Sequence, residues 1–163
     1  MGFRGPEGGS YINRLLLIFL VCAFIAGCGG NSEQTIPSVP LAELQAAPEQ
    51  VEIGGTEYVI SPSSQLYRDF FPGLTPPDGG PLAAWVFIAD NALNPVPSDI
   101  QARYVYVIKG TEVWQSELSS EGRSTSDGPK WETGALVDMV VMVYHGNESY
   151  LIKASDVEIQ RLD

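Results

Sequence analysis

The chain is 163 residues long and carries a formal charge of −11, from 20 acidic and 9 basic residues, with one histidine and two cysteines. The acidic excess argues against a nucleic-acid partner, because phosphates are held by Lys and Arg. It argues equally against docking flat on an anionic lipid surface.

At the N-terminus, Arg4 and Arg14 precede an uncharged apolar run over residues 15–27. A helix that crosses a bilayer needs about 20 residues, so this run is too short to span. A positive start, a short apolar core and small residues at its end make a secretory signal. The run closes on Ile25-Ala26-Gly27-Cys28. This tetrad resembles the lipobox of bacterial lipoproteins, whose usual form is Leu-Ala-Gly-Cys. The resemblance covers roughly the first 28 residues and implies that residues 1–27 are a signal peptide removed before Cys28. It also implies a diacylglyceryl group on the Cys28 sulfur and an acylated new amine. The expected membrane partner is therefore reached through lipid on Cys28. Gly29 stands where an Asp favours inner-membrane retention, so in a diderm bacterium the resemblance implies the outer membrane.

Removing the signal takes away Arg4, Arg14 and Glu7 and leaves 136 residues with 7 basic and 19 acidic groups, formally −12. That length suits one domain with a core of its own. Cys22 leaves with the signal and Cys28 is consumed by lipid, so no disulfide is expected. Residues 28–48 are rich in Gly, Asn, Ser, Pro and Ala, with Pro37, Pro40 and Pro48. They read as the lipidated cysteine and a flexible tether, within which residues 41–47 have room for two helical turns before Pro48 stops them.

Residues 49–163 carry the globular signals, and nearly all are β. Residues 51–53 and 56–60 read as strands joined by Gly54-Gly55. Residues 61–80 read as irregular, with Pro62, Pro72, Pro76 and Pro77. Residues 82–89 are apolar on both faces, as in a central strand, and 91–99 form a loop. Residues 103–108 turn through Lys109-Gly110 into 111–116. Residues 117–130 read as a long loop or an excursion carrying a weak strand. The longest strand signal is 136–144, with Val137, Met139, Val141 and Val143 as the deepest core face. A hairpin through residues 145–148 leads into 149–153, and 157–162 makes a last strand.

Seven or eight short strands punctuated by Pro and Gly predict an all-β fold. The expected architecture is an antiparallel two-sheet sandwich, immunoglobulin-like or transthyretin-like. The expected core includes Val86, Ile88, Val105, Val107, Val137, Val141, Val143, Ile152 and Ile159.

Chemistry is sparse. Nucleophilic catalysis needs a Ser or Cys beside a base with a third group to orient it, and the single histidine, His145, sits in a turn. One histidine cannot supply a zinc site of three or four His or Cys ligands. No catalytic residue, metal ligand or cofactor site is assigned. Asp69, Asp78, Asp90 and Asp138 are the least trivial carboxylates for general acid–base hydrolysis. Asp138 is expected to face solvent. Asp90-Asn91-Ala92-Leu93-Asn94 and Ser126-Asp127-Gly128 are loop candidates for calcium, although turn formation explains both. Arg68, Asp69, Phe70 and Phe71 lie in a proline-bounded aromatic loop. They form the candidate partner-contact site together with Trp131, the tryptophan expected to be exposed, while Trp85 and Trp114 are expected in the core. A local Arg68–Asp69 ion pair is expected to pin the loop.

These features predict a non-catalytic binding or assembly module, tethered to the cell envelope, that meets an envelope protein or glycan. The alternatives are an accessory lipoprotein subunit of an envelope or secretion machine and a carboxylate-based hydrolase.

Overall fold

The computed structural model describes residues 35–163. The expected signal peptide, the lipobox-like tetrad and Cys28 lie outside the described residues. Ile36–Asp163 forms one compact unit. Its elements are helix α1 (Leu41–Gln45) and nine strands: β1 (Gln50–Ile53), β2 (Thr56–Ile60), β3 (Gln65–Asp69), β4 (Leu82–Trp85), β5 (Ile88–Asp90), β6 (Ile100–Lys109), β7 (Glu112–Glu117), β8 (Leu136–His145) and β9 (Glu148–Leu162). They make an all-β sandwich. A three-stranded sheet runs β1-β2-β5, and a six-stranded sheet runs β4-β3-β9-β8-β6-β7.

The local signals hold where a tight turn joins neighbours. Ile53 faces Thr56 across Gly54-Gly55, both at positive φ, the geometry that two-residue hairpins require. β6 and β7 meet at Lys109↔Glu112, and β8 and β9 meet at His145↔Glu148. All nine expected core residues are buried between the sheets.

Elsewhere long-range contacts override the local pattern. The segment expected to be irregular contains β3, which pairs antiparallel with β4 and parallel with β9, so the large sheet is mixed. The strand expected over residues 82–89 is two strands. β4 lies in the large sheet and β5 in the small one, and the break between them is fixed by other segments. Val86 N–H donates to the Gly122 carbonyl at 2.8 Å, and Ser61 N–H donates to the Phe87 carbonyl at 2.8 Å. The excursion after β7 lies along the outer edge of β4: Ser124 N–H reaches the Ala84 carbonyl at 3.0 Å and Gly128 N–H the Leu82 carbonyl at 3.1 Å. On its other side Thr125 N–H donates to Ser116 Oγ at 3.2 Å. It therefore bridges the two outermost strands and curls the sheet. Gly122 has φ +78°, and a Cβ there would stand 2.1 Å from the Val86 carbonyl oxygen, so only glycine fits this crossing.

The largest departure is the segment expected to be tether. Residues 36–48 do not stand off the domain, and the expected boundary at residue 48 falls inside a packed unit. The outer faces of β6 and β8 carry Tyr104, Tyr106, Ile108, Val140 and Met142, all buried, and Leu44 and Ala47 cover them with help from Ile36, Val39 and Leu41. Hydrogen bonds fasten this strap at both ends. Tyr106 Oη donates to the Pro37 carbonyl at 2.8 Å, and Lys153 N–H donates to the Pro48 carbonyl at 2.8 Å. Val140 and Met142, on the even-numbered face of β8, are buried because they have this second cover.

Burial, with Tyr144 and Tyr104 alongside, pushes the Tyr106 hydroxyl up from 10.0 to about 12. Its folded value lies above its unfolded one, so its contribution to stability is complete below about pH 10 and is lost as pH rises towards 12. Alkaline titration should show the last tyrosine ionising together with loss of the β circular dichroism signal. Ionisation of all seven tyrosines near pH 10 with the fold intact would contradict this burial.

Candidate functional site

The expected contact residues come together at one end of the large sheet, in two different roles. Arg68 lies on the core-facing side of β3 and is only 5% exposed. It forms no pair with Asp69. Its guanidinium instead donates to backbone carbonyls of two other loops: Nε to Gly80 at 2.8 Å, Nη2 to Asp78 at 2.5 Å, and Nη1 to Trp131 at 2.8 Å and Lys130 at 3.4 Å. Trp131, expected at the surface, is 8% exposed, and its Nε1–H donates to Glu112 Oε2 at 2.7 Å. Arg68 and Trp131 therefore brace the site from inside and are not contact residues. Conversely, Trp85 and Trp114, expected in the core, are half-buried. Trp85 packs 5.1 Å from Phe87 with the Arg123 guanidinium 4.4 Å from its ring, a surface cluster that the sequence reading missed.

The loop that Arg68 braces runs over residues 70–80 and is fastened at its base. Phe70 N–H donates to the Leu162 carbonyl at 2.7 Å and Gly80 N–H to the Asp69 carbonyl at 2.7 Å. The Phe70 ring has the Arg68 guanidinium 5.2 Å from its centroid and that of Arg161 3.9 Å away. Gly79, at φ +83°, lies against this ring, and a Cβ there would come within 2.4 Å of it. Lys130 Nζ reaches Asp78 Oδ2 at 2.7 Å, and this partner holds the Asp78 carboxyl below its ordinary value.

Beyond this base the tip closes on itself. Leu74 N–H, Thr75 N–H and Thr75 Oγ1 all donate to the Phe71 carbonyl, and Gly79 N–H donates to the Pro76 carbonyl at 2.8 Å. The tip turns Phe71 and Leu74 outward, 38% and 85% exposed. Leu74 is the most exposed large apolar side chain among the described residues.

The carboxylate candidates are dispersed, and two of them, Asp78 and Asp90, are held by local partners. Asp90 accepts from Ala92 N–H, Asn94 N–H and Asn94 Nδ2 at 2.8–2.9 Å, and the Asn94 side chain is the main cause of its lowered pKa. It lines an open depression with Glu52 and Glu57, where Glu57 already accepts from Gln50 and Asn91. Asp138 is half-buried beside Ile108. His145 Nε2 lies 3.3 Å from Asp99 Oδ2 at the surface. Among the described residues, no group of three or more His, Cys, Asp or Glu could hold a metal ion.

The fold is thus an all-β sandwich whose most distinctive exposed feature is a braced apolar loop. Compared with known proteins, the chain matches no family model, no curated protein and no solved structure.

Proposed function

We propose that the chain is an exported lipoprotein of the cell envelope, tethered through lipid on Cys28, whose β-sandwich acts by contact rather than by catalysis. In a diderm bacterium this places it at the outer membrane. The observation that carries the contact reading is the 70–80 loop: its base is held by a buried arginine with four carbonyl partners, yet its tip exposes Phe71 and Leu74. A recognition element that is ordered before binding loses little entropy on binding. The anchor reading rests on Ile25-Ala26-Gly27-Cys28 directly after the short apolar run.

The anchor is tested by feeding labelled palmitate to cells expressing the full chain and its Cys28→Ala variant. The parent should take up label and shift to the mature size. Cys28→Ala should remain unlabelled, at precursor size. A Cys28→Ala chain that matures normally and still enters the detergent phase overturns the anchor.

A further inference from the structure

We propose that the Phe71–Leu74 tip is a membrane-interface contact, which settles into the headgroup region of the bilayer that holds the protein. This deepens the contact reading above and rests on the lipid tether.

Three observations select a bilayer over a protein pocket as the occupant. First, Phe70 to Pro77 is eight consecutive residues without a charge, in a chain of net −11. Second, the tip carries few backbone donors in need of water. Pro72, Pro76 and Pro77 have no N–H, and those of Leu74 and Thr75 are spent on the Phe71 carbonyl. Each backbone N–H or C=O left unpaired away from water is costly, so a tip with these five N–H groups absent or paired enters the headgroup region at lower cost than an open loop.

Third, the base of the loop is electrically balanced. Arg68, Lys130 and Arg161 stand with Asp69, Asp78 and Asp163, three of each sign, and two of the pairs are in contact, Lys130–Asp78 and Arg161–Asp163. The remaining described residues hold four cations, Arg103, Lys109, Arg123 and Lys153, against 15 acids. Anionic lipid repels such a body. The balanced, apolar end can approach a bilayer, and it suits a zwitterionic surface. Two side chains would hold a free protein only weakly. A covalent tether raises the local concentration of bilayer enough for a weak contact to persist.

The test uses the full lipidated chain carrying Leu74→Cys, reconstituted in phosphatidylcholine vesicles and spin-labelled at the new thiol. Leu74 is 85% exposed, so the change leaves packing alone. Thr111→Cys, in the β6–β7 turn, serves as the aqueous control. The label at 74 should collide with a water-soluble nickel complex about fivefold less often than the control and more often with oxygen, as expected for an interfacial site. Adding Phe71→Ser should return it to the control value. Chains that float with the vesicles but show equal nickel access at 74 and 111 overturn the tip contact and leave the anchor standing. Shielding of 74 in native envelopes but not in pure lipid also overturns it, since the occupant is then a protein. Failure to float overturns the anchor and the tip contact together.

Discussion

A chain shortened to begin at Glu49 should lose its cooperative unfolding transition and self-associate, although every strand is still present. The physical reason is the strap. Leu44 is fully buried and Ala47 nearly so, on a sheet face formed by Tyr104, Tyr106, Ile108, Val140 and Met142. Removing the strap bares that face and strands the Tyr106 hydroxyl and the Lys153 amide, which donate to Pro37 and Pro48. An exposed apolar face of this kind is an aggregation surface. The point-mutant counterpart is Leu44→Ala in the full chain, expected to cost about 2–5 kcal/mol, a large share of the roughly 5–15 kcal/mol by which domains are stable. Size-exclusion chromatography and urea unfolding read both outcomes. A monomeric chain from Glu49 with an unchanged midpoint would show that the strap is an accessory.

Replacing Arg68 by Met should be comparably damaging, at about 3–5 kcal/mol, because it leaves buried carbonyls without their charge-assisted donors. The carbonyls of Asp78, Gly80 and Trp131 converge on this one guanidinium from two loops. Arg68→Lys should rescue little, since one ammonium cannot reproduce the planar fork. The loop at 70–80 should then open, and limited proteolysis should cut it well before global unfolding. Urea unfolding measures the stability term, and a loss of less than about 1 kcal/mol for Arg68→Met would mean that the bonds are dispensable.

The two predictions concern the features that sequence reading misjudged. β3 escaped notice because its core-facing residues are Leu66 and Arg68, and an inward arginine breaks the apolar alternation by which a half-buried strand is recognised. That arginine is tolerable inside only because loops 10 to 63 residues away supply its acceptors. Trp131 follows the same logic: its turn-like neighbours suggest exposure, but Glu112 of β7 satisfies its indole N–H and admits it to the core. The contact loop was expected at Tyr67–Gly73, and of the five residues named for contact only Phe71 is exposed. Leu74, the next residue along and the most exposed large apolar side chain, was not singled out.

The amino-acid sequence alone determined the all-β class, the hairpins at Gly54-Gly55, Gly110 and Gly146, and nine core positions, though not the surroundings of Trp85 and Trp114. Each of those depends on a short-range rule: side chains alternate with period two, and tight turns need residues that accept positive φ. Tertiary structure decided what depends on a distant partner. It packed residues 36–48 onto a sheet face instead of leaving them as tether, split residues 82–89 between two sheets, ran β3 parallel to β9, and turned Arg68 and Trp131 inward. In each case the deciding group, a buried face or a carbonyl or carboxylate acceptor, lies far away in the chain, where no local pattern can register it.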